Sequence, residues 1–336
     1  MKAYPKETTE ALLDGHVSSF SFFGGVPQSM LLDNTKLAVA RIMKGGERQM
    51  TKAFTALQSH YLFESRFGRP GKGNDKGKVE GLVGYVRRNF LVPAPQFASF
   101  AELNAWLEEK CREHMNRLMR GQTETVGERM VRDQEALLPL PAVGFDPCEK
   151  VSTRVSSLSL VRYRHNDYSV PVAYGHRDVL VKGYVDEVVI LNGADVIARH
   201  ERSWEKDDFV YDPLHYLPLL EQKVGALDQA APLVGWNLPE VFARLRRLME
   251  GRLGKKGKRE YVQVLRLLET FTLPEVTHAV GEAIGMGATT FDAVKHLTMC
   301  FIERRTPRLD MANWPHLPKA SVKTTKAADY ASLVSR

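Results

Sequence analysis

The period of the apolar positions changes along the chain, and each period predicts a different kind of element. From Glu7 to Phe23, Leu12, Phe20 and Phe23 share a helical face, and Gly24-Gly25 ahead of Pro27 ends the helix. Gln28 to Asp33 is a short apolar run after a turn, which predicts a buried strand. Phe54, Leu57 and Tyr61 recur at steps of three and four, so Met50 to Tyr61 predicts a helix. Leu62 to Phe67 predicts a second short strand. Gly68 to Gly77, with four glycines, a proline and Asn74-Asp75, is a loop. A further helix runs from about Lys78 to Phe90 and closes before Pro93. Strand, helix, strand, loop, helix is an α/β order.

Ser99 to Leu118 predicts a helix with a capping box, Ser99 with Glu102, and a stripe of Leu103, Trp106, Leu107, Cys111 and Met115. Another helix is expected over Val126 to Leu137, then a linker marked by Leu138-Pro139-Leu140-Pro141 and Asp146-Pro147. From Val151 to Trp204 the period becomes two. Ser159–Arg164, Tyr168–Val172, Asp178–Tyr184, Glu187–Leu191 and Val196–His200 read as five strands, with turns at His165-Asn166-Asp167 and Asn192-Gly193. Five short strands so close together predict a small barrel. After Pro213 the pattern is helical through Arg305. The tail from Thr306 is rich in Pro, Lys and Ser and predicts a mobile segment.

Composition narrows the classes. At 336 residues, two or three domains are expected. No apolar run reaches the roughly 18 residues of a membrane span, and the first residues lack the apolar core of a signal peptide. Cys111, Cys148 and Cys300 lie far apart, which indicates neither a zinc site nor a disulfide framework and fits a reducing cytoplasm. Net charge is +7, and its placement is informative. Glu240 to Arg336 holds 17 Lys and Arg against 10 Asp and Glu, whereas the rest of the chain has 30 of each. The densest stretch, Arg244 to Arg259, has eight basic residues and one acid. It includes Arg244, Arg246, Arg247, Lys255 and Lys256, and reads either as a phosphate-tracking surface or as a solvated helix face.

The candidate chemistry lies nearer the start. Asp33 ends an apolar run and Glu80 opens a helix, 47 residues later. Between them sits a glycine-rich basic loop with Arg69, Lys72, Lys76 and Lys78, preceded by Arg66. Glycines admit a ligand to the backbone, and the cations suit phosphates. Gly77-Lys78 is followed by Val79, so the order of a nucleotide-binding P-loop is absent. Asp33 taken alone reads equally as a strand-end turn residue, and Glu80 as an acid favoured by the helix dipole. Together they suit metal-dependent phosphoryl transfer, in which carboxylates hold two Mg²⁺ ions about 4 Å apart.

Gly24 to Val39, GGVPQSMLLDNTKLAV, and Phe63 to Pro93, FESRFGRPGKGNDKGKVEGLVGYVRRNFLVP, resemble the IstA-type transposases of two-gene bacterial insertion sequences. These belong to the DDE, retroviral-integrase-like superfamily. The resemblance extends more loosely through FASFAELNAWL and HNDYSVP to the later helices. It implies an RNase-H-like core in which Asp33 matches the second catalytic acid and Glu80 the third, both ligating Mg²⁺ or Mn²⁺. The family's first acid, in a DWG-like context, and its helix-turn-helix region have no match here, so an N-terminally truncated or remnant transposase is expected. Duplex DNA, sister transposase subunits and an IstB-type AAA+ ATPase helper are the implied partners, and a cytoplasmic, nucleoid-associated location follows.

The expected organisation is α/β. Residues 1–95 form a partial RNase-H-like catalytic core, and 96–148 a helical extension and linker. Residues 149–207 form a small β-barrel like that of Mu transposases, 208–305 a helical region and 306–336 a mobile basic tail. In the barrel, Arg162, Arg164, Lys182, Arg199 and Arg202 read either as DNA contacts or as solvent-facing strand positions, and Tyr163, Tyr168 and Tyr184 as core. A chain that binds DNA or sister subunits without catalysing is the alternative function.

Overall fold

The computed structural model describes residues 1–43, 47–68 and 77–303, the side chains of 77–80 apart. Arg69, Lys72, Lys76, the side chains of Lys78 and Glu80, and the expected tail 306–336 therefore lie outside the described residues. The chain divides into two compact units. One is Met1–Leu219 with Ala230–Val234, and the other is Leu220–Gln229 with the chain from Gly235 onward.

The first unit opens with α1 (Thr9–Phe23). Thr8 caps it by accepting from the Ala11 amide, and Gly24, at φ +72°, closes it with a left-handed turn. Strand β1 (Ser29–Leu32) is followed by a hairpin of β2 (Val39–Ile42) and β3 (Arg48–Met50), then α2 (Lys52–Tyr61) and β4 (Glu64–Phe67). β1 and β4 pair in parallel, from Ser29 opposite Glu64 to Leu32 opposite Phe67. A parallel pair needs a crossover, which α2 supplies. Leu13, Phe20, Val26, Phe54, Leu57, Tyr61 and Phe63 form the core beneath. α3 (Gly77–Phe90) follows the glycine-rich loop.

Two expectations change here. The strand over Gln28–Asp33 is shorter and not buried: its residues alternate between exposed and half-buried, and Leu31 is 60% exposed. Met30 and Leu32 face the core, while Ser29 and Leu31 face the other way. Among the described residues β1 has a ladder partner on one edge only. The β2–β3 hairpin was not expected.

Helices α4 (Phe100–Met115) and α5 (Val126–Gln134) follow. The Ser99 hydroxyl accepts from the Glu102 amide at 3.2 Å, but the Glu102 carboxylate reaches past Ser99 to the Ala98 amide at 2.8 Å. Of these two helices it is α5 that has the closed capping box, at Thr125 and Glu128. Of the expected α4 stripe only Leu107 is fully buried. The supposed linker is pinned, because Leu138 exchanges two backbone hydrogen bonds with Val26, at 2.9 and 2.8 Å. Pro139 and Pro141 lie beyond the paired residue, so no donor is lost.

The period-two region holds seven strands in two sheets. β5 (Glu149–Arg154), β8 (Asp178–Gly183), β9 (Glu187–Asn192) and β10 (Asp195–Glu201) form one antiparallel sheet in the order β10-β9-β8-β5. β6 (Leu160–Tyr163), β7 (Asn166–Ser169) and β11 (Phe209–Val210) form the other, ordered β11-β7-β6. Val161, Tyr163, Tyr168, Val170, Val181, Val188 and Ile190 fill the space between them. No closed barrel is found. Alternation fixes which face of each strand is buried, but closure also needs a ladder joining the edge strands. The strands over Glu149–Arg154 and Phe209–Val210 were not expected, and the first turn falls at Arg164 and His165, since Asn166 already pairs with Tyr163. Gly193, at φ +63°, makes the expected Asn-Gly hairpin.

α6 (Leu217–Gln222) spans the boundary between the units. The second unit contains α7 (Glu240–Leu253), α8 (Lys255–Arg266), α9 (Leu273–Gly285) and α10 (Phe291–Glu303). Phe242, Leu245, Met249, Val262, Leu265, Val276, Val280 and Val294 are among its buried side chains. Only Gly254, at φ +57° and ψ −126°, separates α7 from α8. Gly257 lies so close to the Met249 carbonyl that a Cβ there would run into it. Both are positions for glycine.

Candidate metal and nucleic-acid site

The two parallel strands end side by side. Past the last ladder pair, the Gly68 amide donates to the Leu32 carbonyl at 3.1 Å, so the ends of β1 and β4 stay together for one more residue. Asp33 stands at that point and is exposed. Its Oδ1 accepts the Asn34 backbone amide at 2.6 Å. The Asn34 side chain donates to the Gly68 carbonyl at 2.9 Å. Arg48 of β3 closes the arrangement, donating from Nε to Asn34 Oδ1 at 3.1 Å and from Nη2 to the same Gly68 carbonyl at 3.0 Å. Its guanidinium also lies 5.6 Å from the centre of the Phe67 ring.

Thus Asp33 sits at the root of the glycine-rich loop, which starts at Gly68. The backbone of Lys78 and Glu80 lies in the first turn of α3. Arg66 projects from β4, exposed, 3.6 Å from an equally exposed Glu64. An exposed pair of that length is worth little, and Arg66 stays available to a phosphate.

The expected DNA-contacting cations of the second unit divide into two sets. Arg244, Arg247, Lys255 and Lys256 are exposed, with Lys256 loosely beside Glu260 at 3.8 Å. Arg246 is turned inward: it pairs with Asp228, and with Glu250 at 2.5 Å, and lies against the Tyr261 ring. Lys258 shares Asp228 at 2.5 Å. Their two hydrogen bonds hold the Asp228 carboxyl below its ordinary range. Arg246 therefore braces the helical unit and presents no free cation.

In the β-sheet region each cation considered for DNA has an internal carboxylate. Arg162 pairs with Asp167 and Asp207, Arg164 with Glu149, Lys182 with Asp146, Arg199 with Glu187 and Arg202 with Glu10. Burial alone would raise the Asp146 carboxyl, but hydrogen bonds from Lys182 and Tyr184 outweigh it and hold the group below its usual range. Tyr163 and Tyr168 are core, as expected, at 2% and 1% exposure. The acids that occupy these cations come from residues 5 to 192 positions away, a relation the linear pattern does not carry.

An oxygen donor such as Asp33 suits Mg²⁺ or Mn²⁺, which are commonly held by one or two carboxylates, waters and substrate phosphates. No group of three or more His, Cys, Asp or Glu side chains that could hold a metal occurs among the described residues. Asp33, the candidate acid whose side chain is described, fits this sparse mode. Among the described residues, no helix is long and apolar enough to cross a membrane.

Parallel strands ending at an acid, followed by a basic loop and a two-sheet module, are joined by direct sequence relationships. Residues 140–212 match the family described as Mu transposase, C-terminal domain. The chain is 33% identical over 335 residues to a protein named transposase from Aminobacter aminovorans, covering 96% of this chain and 65% of that one. It is 34% identical over 314 residues to the transposase for insertion sequences IS1326/IS1353 from Pseudomonas aeruginosa, covering 92% of this chain and 61% of the relative. With the transposase for insertion sequence element IS21 of the same organism it shares 33% identity over 222 residues, 66% of this chain and 57% of the relative. The chain is thus a homologue of insertion-sequence transposases. More narrowly, it is a homologue of those of the IS21 and IS1326 kind, which bears out the IstA-type resemblance, and it spans about 57 to 65% of their length.

Proposed function

We propose that this chain takes part in DNA transposition as the second half of an RNase-H-like catalytic core, followed by the two-sheet module and the helical unit. The observation that carries the reading is the placement of Asp33. It is an exposed acid at the joined ends of two parallel strands, at the root of the basic loop, in a homologue of transposases. Asp33 and Glu80 are the acids that would hold Mg²⁺ or Mn²⁺. When bound, the metals would activate the attacking hydroxyl and stabilise the leaving oxygen of an in-line transesterification, in which one P–O bond forms as another breaks. The chain's own part is to orient the DNA backbone, through Arg66, Arg69, Lys72, Lys76 and Lys78 beside the acids and Arg244, Arg247, Lys255 and Lys256 on the helical unit.

The resembled family uses three acids, and the matched positions here supply two. The reading is therefore that these 336 residues bind duplex DNA but do not by themselves complete strand joining. That keeps the second reading, a non-catalytic DNA-binding or subunit-binding role, beside the first. Sister subunits and an IstB-type ATPase are the partners proposed from the family. The test is a strand-transfer assay on pre-cleaved insertion-sequence ends with Mg²⁺ or Mn²⁺, alongside binding measured across a salt series. Expected are salt-sensitive binding with little sequence preference and no joined product. Robust joining that Glu80→Gln abolishes would show a complete site and overturn the two-acid reading.

A further inference from the structure

We propose that Arg48 is a positioning residue for Asp33: it orients the acid without touching the reacting groups, by clamping the residues on either side of the strand ends. The inference rests on the reading of Asp33 as a metal ligand. A guanidinium has no lone pair to offer a cation, so Arg48 cannot itself be a ligand. Among the described residues it holds Asn34 Oδ1 and the Gly68 carbonyl, at 3.1 and 3.0 Å. Asn34 Nδ2 reaches that same carbonyl at 2.9 Å, which closes a ring of three hydrogen bonds around two strand ends.

Asn34 is the residue whose amide donates to the Asp33 carboxylate, so the placement of Asn34 sets the orientation of that acid. Asp33 lies one residue beyond the last ladder pair, Leu32 and Phe67, and the ring adds to the Gly68 amide bond in holding that strand end against fraying. Gly68 is buried, and a carbonyl there needs donors; Arg48 and Asn34 both serve it. The Phe67 ring under the guanidinium restricts it further. β3 brings Arg48 to this place, and β3 belongs to the hairpin inserted between Asp33 and Glu80. The hairpin therefore has a task beyond connection: it carries a clamp to the acid it follows.

The fixed fork of arginine spans two acceptors, whereas a lysine ammonium keeps the charge and loses the geometry. Residues that orient metal ligands typically contribute 10- to 100-fold in metal affinity. The experiment titrates the 336-residue chain with Mn²⁺ alone and follows free Mn²⁺ by electron paramagnetic resonance, with melting temperature and circular dichroism recorded for each variant. Asp33→Asn is expected to remove the Mn²⁺ binding seen in the parent. Arg48→Ala and Asn34→Ala are each expected to weaken it about tenfold with the fold retained, and Arg48→Lys to restore only part. The double variant should be no worse than either single, since both break one ring. Binding lost in Asp33→Asn but unchanged in Arg48→Ala and Asn34→Ala would overturn the positioning role and leave Asp33 as a ligand. Binding that is absent, or that survives Asp33→Asn, would overturn Asp33 as a ligand and the proposal with it. Where Arg48→Ala fails to fold, Arg48→Lys and Asn34→Ala carry the same comparison.

Discussion

Arg202 shows most plainly what a side chain's surroundings do to its apparent role. In the sequence it is one of several cations in a strand-rich region. In the structure its side chain is 4% exposed, and it pairs at 2.5 Å with Glu10, which is wholly buried 192 positions earlier. The Trp204 ring lies 3.9 Å from its guanidinium, and the Tyr184 carbonyl accepts from it. Removing one partner of a buried pair strands the other charge, at a cost of roughly 3–5 kcal/mol. Arg202→Ala is therefore expected to lose about that much in urea unfolding, and Glu10→Gln with Arg202→Met to recover much of it. A single-variant loss under about 1 kcal/mol would mean that the pair is not buried in solution.

His215 gives a second residue-scale expectation. Its Nδ1 meets the Ser169 hydroxyl at 2.8 Å. Burial chiefly pushes its pKa down, to about 4, with Asp212 opposing and neighbouring His200 assisting. His200 is lowered by burial too. Below pH 6.5 the unfolded chain takes up protons that the folded chain refuses, so stability falls as pH drops from about 6.5 towards 4. Unfolding free energies from urea titrations at pH 7 and 4.5 should differ by on the order of 2 kcal/mol from His215 alone, and His215→Gln should flatten the dependence. An unchanged midpoint would contradict a neutral, buried imidazole.

At the scale of elements, legibility followed signal length. α1 and α4 were legible because an apolar period agrees with an end signal, Gly24-Gly25 or Ser99 with Glu102, and α2 because Phe54, Leu57 and Tyr61 keep the period. The β2–β3 hairpin was not: Val39–Ile42 and Arg48–Met50 are four and three residues long, too short for alternation to stand out. The strands of the two-sheet module were mostly legible and their closure was not, since ladders across sheet edges leave no period. Around the α7–α8 corner the helical pattern and the charge were legible and the corner was not, yet its glycines decide its shape. Gly257→Ala would force the helices apart at the Met249 carbonyl, at a cost of about 1–3 kcal/mol. Thermal melting should show that loss, whereas Gly251→Ala, with open space around it, should be neutral or mildly stabilising. Equal melting temperatures for parent and Gly257→Ala would argue against the close approach.

At the scale of the whole molecule, the sequence motifs reached the transposase relationship directly. They could not reveal which cations were already spoken for. Arg246 and the five β-sheet-region cations are held by acids that folding brings to them, so charge along the chain overstated the number of unpaired cations. Nor could they find Arg48, whose partners Asn34 and Gly68 lie 14 and 20 positions away on separate elements. The central claim is that Asp33 and Glu80 face one metal site across 47 residues of chain. Diffraction from crystals of the chain soaked in Mn²⁺, with the anomalous signal locating the ion, tests it most directly. The account predicts an anomalous peak in direct coordination with both carboxylates, at oxygen distances of about 2.1 Å. Carboxylates more than about 8 Å apart, too far to share a metal pair about 4 Å wide, would contradict it.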